Sequence, residues 1–332
     1  MRAARIHTYG GPDRLVLEEV PKPEPAAGEL LVSVKAASVN PVDFKTRDGG
    51  VKVLLKYRLP ITLGCDLAGV VTAIGAGVTR FQIGEPIFAR LDKLHIGAFA
   101  DFAIVREADA ARKPEALDFV QSASIPLVGL TAWQALIEIG GLSSGQDVLI
   151  HAGSGGVGTF AIQLAKHLGA HVTTTCSAKN AALCTSLGAA RVIDYKTEQF
   201  DEGNSRYDVI LDTQGGETLE RCFRVVKKGG VVVTIGGVPD AKFGKAWGLN
   251  PFLVLALRFM TRKVTRLAKQ SGAKFEYLFM RPDGAQLAQI GALLEAGTIK
   301  PVIDRTFELA NIKEAMAYVE SGRAVGKVVV TP

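Results

Sequence analysis

Residues 151–160 read HAGSGGVGTF, with four glycines inside six positions. Glycine gives up backbone entropy on folding and packs no side chain, so this density needs a reason. Gly153, Gly155 and Gly158 meet the spacing G-x-G-x-x-G, with Ser154, Gly156 and Val157 between them. That spacing suits a pyrophosphate: Gly153 permits a tight turn, Gly155 lets phosphates approach the main chain, and Gly158 lets the next helix pack close on the sheet. The N–H groups at the start of that helix, with its dipole behind them, favour the negative charge.

The flanks agree with this reading. Residues 147–150, DVLI, form the kind of short apolar run found in buried parallel strands. After the glycines, Phe160, Leu164 and Leu168 recur at helical spacing, and AHVTTTC (170–176) reads as the next strand. A strand, a glycine turn and a helix in this order predict a dinucleotide site. An NAD site places an acid at the end of the second strand, on the ribose 2′-hydroxyl. Here that strand ends CSAKN, so Ser177 stands in the acid's place and Lys179 follows. A carboxylate would repel a 2′-phosphate, whereas a hydroxyl and an ammonium can receive it, which favours NADP(H) over NAD(H). Asp194, at the end of the third strand, is read as too far along to replace the missing acid.

Such a turn needs a parallel sheet behind it. From about residue 125 the patterns alternate: TAWQALIEIG as helix, DVLIHAG as strand, VGTFAIQLAKHLG as helix, HVTTTCS as strand, NAALCTSLGA as helix and RVIDY as strand. YDVILDTQGG as strand, TLERCFRVVKKGG as helix and GVVVTIGG as strand follow, and the whole reads as a doubly wound α/β domain. KFEYLFM alternates around Phe275, Tyr277 and Phe279 and is expected to be the last strand of that sheet. Before residue 125, ELLVSVKAASV, LAGVVTAIG, EPIFARL and AFADFAIV alternate with Gly and Pro turns, as in a mostly β domain. The final fifty residues, ending in GKVVVTP, are expected to rejoin it. The expected division is 1–124 with 283–332, and 125–282.

The chain has 332 residues, 48% of them hydrophobic, enough for two cores. Its net charge of +6 suits anionic ligands without indicating nucleic acid. No apolar run approaches a membrane span and the first residues lack a secretory core, so the expected location is the cytoplasm. Cys65, Cys176, Cys184 and Cys222 form no C-x-x-C pair and read as reduced, mostly buried thiols. The five histidines offer no nucleophilic triad, His151 reads as structural, and no G-x-S-x-G supports a hydrolase. In residues 250–272, an apolar helical run leads into Arg258, Arg262, Lys263, Arg266 and Lys269. It reads as an amphipathic helix roofing the cleft, with a solvated basic face, or as a surface that guides a bulky or membrane-resident quinone to the site.

The order of parts, with AASVNPVDFKTRDG, LGCDLAGVVTAIG, SIPLVGLTAWQAL, IHAGSGGVGTFAIQLAKHLGAHV, LGAARVIDY and GRAVGKVVV along nearly the whole chain, resembles the medium-chain dehydrogenase/reductase superfamily. Within it the motifs look like the zinc-independent quinone oxidoreductase and enone reductase branch. The resemblance implies a GroES-like β-rich catalytic domain plus a doubly wound Rossmann domain. It implies reduction of quinones or α,β-unsaturated carbonyls, and a homodimer paired through the last strand of the nucleotide sheet. The positions matching the family's catalytic zinc ligands are Asn40, Cys65 and Leu127, a set that cannot hold zinc. By the same resemblance, Lys179, Tyr195 and Arg323 receive the 2′-phosphate, and Thr131 and Gly236 complete the expected cofactor contacts.

Without a metal, hydride transfer to a conjugated carbonyl needs donors for the enolate oxygen. Residues 39–49, VNPVDFKTRDG, offer Asn40, Lys45 and Arg47, with Tyr57 nearby in sequence. Related enzymes carry a tyrosine where this chain has Lys45, so its ammonium becomes the expected donor. Asn40 is expected to orient the nicotinamide or the substrate, and Asp43 to fix the loop. An enoyl-thioester reductase and a non-enzymatic RNA- or protein-binding role are the alternatives. The basic 250–272 segment is the only support for the second, and no RNA-binding motif accompanies it.

Overall fold

Strand Glu29–Val39 organises the β-rich part of the chain. It pairs antiparallel with Asp66–Ile74 along its length, and also with Phe102–Arg106 over Glu29–Ser33 and with Lys327–Thr331 over Ala37–Val39. Register shifts at Leu31/Val32 and Val34/Ala36 bend it between these partners. The seven-stranded sheet runs Ile303–Glu308, Lys327–Thr331, Glu29–Val39, Asp66–Ile74, Pro86–Arg90 and Ala110–Arg112, with Phe102–Arg106 alongside. Its core holds Leu30, Val32, Leu67, Ile87, Phe99 and Val330, all buried. The C-terminal strand thereby lies next to the end of Glu29–Val39, where helix Pro41–Arg47 begins.

The computed structural model describes residues 1–203 and 206–332. These form two units, Met1–Leu130 with Arg281–Pro332, and Thr131–Met280. The sequence reading put the divisions at 124/125 and 282/283. The first instead falls inside helix Pro126–Trp133, where no change of composition marks it.

The second unit is a parallel sheet of six strands. Across it stand Arg191–Asp194, His171–Cys176, Asp147–Ile150, Tyr207–Asp212, Val226–Thr234 and Lys274–Tyr277. The order reverses between Asp147–Ile150 and Tyr207–Asp212, and ligands of such sheets bind outside the carboxyl ends at that switch point. Leu149, Ile210 and Val232 are fully buried in its core, as both-face coverage of a parallel sheet requires.

Two elements differ from the sequence reading. The helix expected through KKGG stops at Val225, and Val226–Thr234 is strand. Lys227 in that strand reaches the carboxylates of Asp147 and Asp208 at 2.9 and 2.7 Å. The run expected as one helix over 250–272 is two, Pro251–Met260 and Arg262–Ser271, separated by Thr261, whose hydroxyl donates to the Leu257 carbonyl at 2.7 Å.

Candidate active site

In the nucleotide unit the glycine turn leads from strand Asp147–Ile150 into helix Gly156–His167. Its left-handed residue is Ala152, at φ 53°, the one non-glycine with positive φ among the described residues. The Ala152 N–H donates to Thr175 Oγ1 at 3.2 Å, which holds this conformation. Gly153 is therefore required for a reason other than the turn dihedral: a Cβ there would stand 2.1 Å from Thr174 Oγ1 on the neighbouring strand. At Gly158 a Cβ would meet the Ala152 carbonyl at 2.3 Å, so this glycine lets the helix close on the turn. Gly155 has only the Ala152 carbonyl near its Cβ position, at 3.3 Å. Its outer side is open, and the first N–H groups of the helix, Gly156 and Val157 among them, have no acceptor within the helix. This is an anion cradle built from main chain, and it fits a dinucleotide pyrophosphate.

The neighbouring strand ends supply the rest. Ser177 is buried at the end of His171–Cys176, and Lys179 is exposed on the short 3-10 turn after it. Tyr195 follows Arg191–Asp194; its N–H donates to the Cys176 carbonyl at 3.3 Å, and its side chain is 59% exposed. Ser177, Lys179 and Tyr195 therefore share one corner. Asn180, which the sequence reading passed over, donates to Ser154 Oγ at 2.9 Å and ties that corner to the glycine turn. Its only signal was its place next to Lys179. Arg323 lies in the other unit, exposed on the turn after helix Ile312–Glu320. Thr131 is buried in helix Pro126–Trp133.

Beyond the switch point, buried Asp212 accepts from the N–H groups of Gln214 (3.0 Å) and Gly215 (3.0 Å) and from the Thr234 hydroxyl (2.7 Å). Gly236 presses on this loop: a Cβ there would stand 2.9 Å from the Gly215 nitrogen. The two strand-end loops thus clasp backbone to backbone. His151 is buried with Nδ1 3.0 Å from Thr175 Oγ1 and Nε2 3.5 Å from Cys222 Sγ. Burial pulls its pKa down to about 4, against the opposing charge of Asp212, so it is a neutral core imidazole.

The catalytic unit holds a second cluster, made of side chains. Asn40 is buried at the N-terminus of helix Pro41–Arg47. Its backbone N–H donates to Asp43 Oδ2 at 2.8 Å, and its amide Nδ2 donates to the Ser38 carbonyl at 3.2 Å and to Asp66 Oδ2 at 2.9 Å. Lys327 Nζ donates to Asn40 Oδ1 and, at 3.2 Å, to the Val39 carbonyl. Asp66 also accepts from the Ser38 hydroxyl at 2.9 Å and the Leu127 N–H at 3.0 Å. Both amide hydrogens of Asn40 are thus committed inside the protein, and it positions this network instead of presenting a donor to a ligand.

Cys65 donates its thiol hydrogen to Asp43 Oδ1 at 3.3 Å, and burial pushes the thiol well above its ordinary range. Desolvation raises the Asp43 pKa to about 7, opposed by the hydrogen bond from Asn40. Burial likewise pushes the Asp66 carboxyl up and the Lys327 ammonium down, each opposed by the other's charge. Asp66 and Lys327 were missed in the sequence. The available signals were an acid beside Cys65 and a lone charge heading the apolar strand KVVVT.

The remaining candidates lie around this cluster. Asp43, Thr46 and Arg47 face inward from helix Pro41–Arg47, and Lys45 is exposed. Arg47 is held by Asp48 Oδ1 at 2.7 Å and by Glu320 Oε2 at 3.2 Å, which fastens the helix to Ile312–Glu320. Tyr57 donates its hydroxyl hydrogen to the Lys93 carbonyl, and burial raises its pKa. His95 is exposed beside Asp92. Among the described residues no group of three or more His, Cys, Asp or Glu is placed to hold a metal.

Residues 26–115 match the alcohol dehydrogenase GroES-like domain, and residues 187–330 match the model described as zinc-binding dehydrogenase. The mouse mitochondrial NAD(P)H oxidoreductase RTN4IP1 is 36% identical, over 91% of this chain and 81% of its own. The Arabidopsis thaliana chloroplast envelope quinone oxidoreductase homolog is 32% identical, over 100% of this chain and 98% of its own. The tomato (Solanum lycopersicum) 2-methylene-furan-3-one reductase is 34% identical, over 100% and 79%. Among solved structures, the Coxiella burnetii quinone oxidoreductase superposes with TM-score 0.87 at 32% identity, covering 100% of this chain and 99% of that one. The Escherichia coli quinone oxidoreductase complexed with NADPH gives 0.84 at 25% identity, with both chains covered fully. With its GroES-like catalytic unit, its doubly wound nucleotide unit and relatives of this kind along its whole length, the chain is an oxidoreductase and belongs to the quinone oxidoreductase branch of the medium-chain dehydrogenase/reductase superfamily.

Proposed function

We propose that the enzyme uses NADPH to reduce quinones or α,β-unsaturated carbonyls without zinc. The carrying observation is the corner formed by Ser177, Lys179 and Tyr195 beside the open face of Gly155, with a hydroxyl where an NAD site has an acid. The NADPH complex of the Escherichia coli relative supports the cofactor. The names of the plant relatives support the two acceptor classes. When bound, NADPH supplies the hydride. Main-chain N–H groups at Gly156 and Val157 hold the pyrophosphate, and Lys179 and Ser177 meet the 2′-phosphate.

The chemistry of the donors supports a metal-free reaction. The Asn40 amide is committed internally, Leu127 offers only carbon, and the Cys65 thiol stays protonated. These residues do not fit a zinc ion. The Lys45 ammonium has no partner among the described residues and is the group we assign to the acceptor oxygen; Asn40 positions the start of the helix that carries it. Edge strand Lys274–Tyr277 pairs only with Val226–Thr234 among the described residues, which supports a twofold dimer through that edge.

Steady-state oxidation of NADPH and NADH with a panel of quinones, enones and an enoyl thioester tests this reading. The expected result is turnover of quinones and enones with NADPH favoured by about one to two orders of magnitude, on the scale of one charge-assisted hydrogen bond. Turnover confined to the enoyl thioester, or equal use of both cofactors, overturns it.

A further inference from the structure

Helix Pro251–Met260 carries an apolar face that the fold leaves uncovered: none of its residues is buried. Phe252, Leu255 and Phe259 are 85, 63 and 64% exposed. With Ala256 they follow the spacing i, i+3, i+4, i+7 and share one side of the helix. The other side, Leu253, Val254 and Leu257, is half-buried, with Val254 and Leu257 packed at Gly244 of helix Ala241–Ala246. A surface helix is ordinarily polar on its outer side; this one is apolar there, with Arg258 its one charged residue, and such patches mark partners.

Charge identifies the partner. Residues 241–275 contain eight Lys and Arg and no Asp or Glu. Arg258, Arg266 and Lys269 are exposed beside or beyond the apolar face, and the Arg262 guanidinium lies 4.2 Å from the centre of the Phe259 ring. A groove of about 690 Å³ runs along the helix, lined by three cations, Lys242, Lys245 and Arg258, and one acid, Asp240. Neither Lys245 nor Arg258 has an ion-pair partner among the described residues. A second copy of this chain centred on this face is a poor occupant, because residues at a twofold axis meet their own images and would set these cations against themselves. The apolar side chains project outward from a helix flanked by cations, which is the arrangement of a helix lying in a lipid headgroup boundary.

We propose that helix Pro251–Met260 docks the nucleotide-binding unit on an anionic phospholipid surface. Phe252, Leu255 and Phe259 enter the acyl boundary, and Lys245, Arg258 and Arg266 meet headgroup phosphates. The docking is independent of which acceptor the enzyme reduces.

Co-sedimentation of the full chain with vesicles tests it, using phosphatidylcholine alone and phosphatidylcholine mixed with phosphatidylglycerol. The chain is expected to pellet with the anionic vesicles, far less with the neutral ones, and less as salt rises. Arg258→Gln with Arg266→Gln lowers partitioning about 25-fold, at about fivefold per cation. Phe252→Ser with Leu255→Ser and Phe259→Ser lowers it about tenfold or more on the same vesicles. Both variants keep the parental melting temperature and the parental rate of NADPH oxidation in vesicle-free buffer. Absence of pelleting with anionic vesicles at low salt overturns the proposal, as does parental binding by the serine variant. It also falls if the serine variant turns a dimer into a monomer without vesicles, which makes the face a copy interface. Retention on polyglutamate without vesicle binding makes the partner an acidic protein and has the same consequence.

Discussion

The glycine turn and the cluster around Asn40 are built on opposite plans. The turn offers main-chain N–H groups, and the residues that carry them, from Ala152 to Gly158, are contiguous. The cluster works through side chains drawn from residues 38–43, 65–66 and 327, which meet only because three strands of the sheet are neighbours. A main-chain site is specified by where side chains are missing, so its spacing is visible in a line of sequence. A side-chain network is specified by which strands pair, and its members look like ordinary polar residues until they do.

The largest effect tests that difference directly. Lys327→Met leaves the Asp66 carboxylate and the Asn40 carbonyl buried with one partner fewer. It is expected to destabilise the chain by about 3–5 kcal/mol, the scale for breaking a buried ion pair from one side. Denaturant unfolding measures it. A paired Lys327→Met and Asp66→Asn variant should recover part of the loss, and a double-mutant cycle without coupling would separate the two residues.

Asp43, in the side-chain network, makes stability depend on pH. Its folded pKa of about 7 lies above the ordinary 3.8, so folding takes up a proton between those values. The stability it contributes is fully present below about pH 4 and is lost as pH rises through 7. His151 has the opposite sign, its folded pKa of about 4 lying below 6.5, so its contribution is present above 6.5 and lost as pH falls through 4. The difference between Asp43→Asn and the parent removes the His151 contribution: the variant should gain on the parent by a few kcal/mol between pH 4 and 8. A constant difference across that range would show that Asp43 is not protonated in the fold.

Lys45→Met asks whether the exposed side of the same helix does chemistry. The expected loss is about 10²-fold in kcat for an enone, with smaller losses for a quinone and little change in NADPH affinity. Parental enone turnover would leave the acceptor oxygen to main-chain donors. On the nucleotide side the expected effect is smallest. Lys179→Ala removes one charge-assisted contact worth about 1.5–3 kcal/mol, so NADPH affinity should fall and NADH affinity should hold. Equal losses for both cofactors, measured by fluorescence titration, would take Lys179 out of the phosphate corner.

The doubly wound order, the glycine turn and the place of Ser177 and Lys179 are legible in the residues alone. Each of these rests on local spacing: hydrophobic period, glycine position, and distance from a strand end. At Gly158 the close approach that the sequence reading expected against the sheet is made instead against the turn, at Ala152 and Gly153. The same reading misjudged Gly153, because the contact that demands that glycine is Thr174, about twenty residues on and on another strand. That Asn40 holds a network together, and that Asp66 and Lys327 complete it, follows from strand pairing and from nothing local. Lys327 reaches Asn40 across 287 residues of chain, because strand Lys327–Thr331 takes the edge of Glu29–Val39 that Phe102–Arg106 leaves free. The tertiary structure also decided that helix Pro251–Met260 turns Phe252, Leu255 and Phe259 outward. An apolar helix pattern states which residues share a face, and which face is covered is set by the packing of Val254 and Leu257 at Gly244.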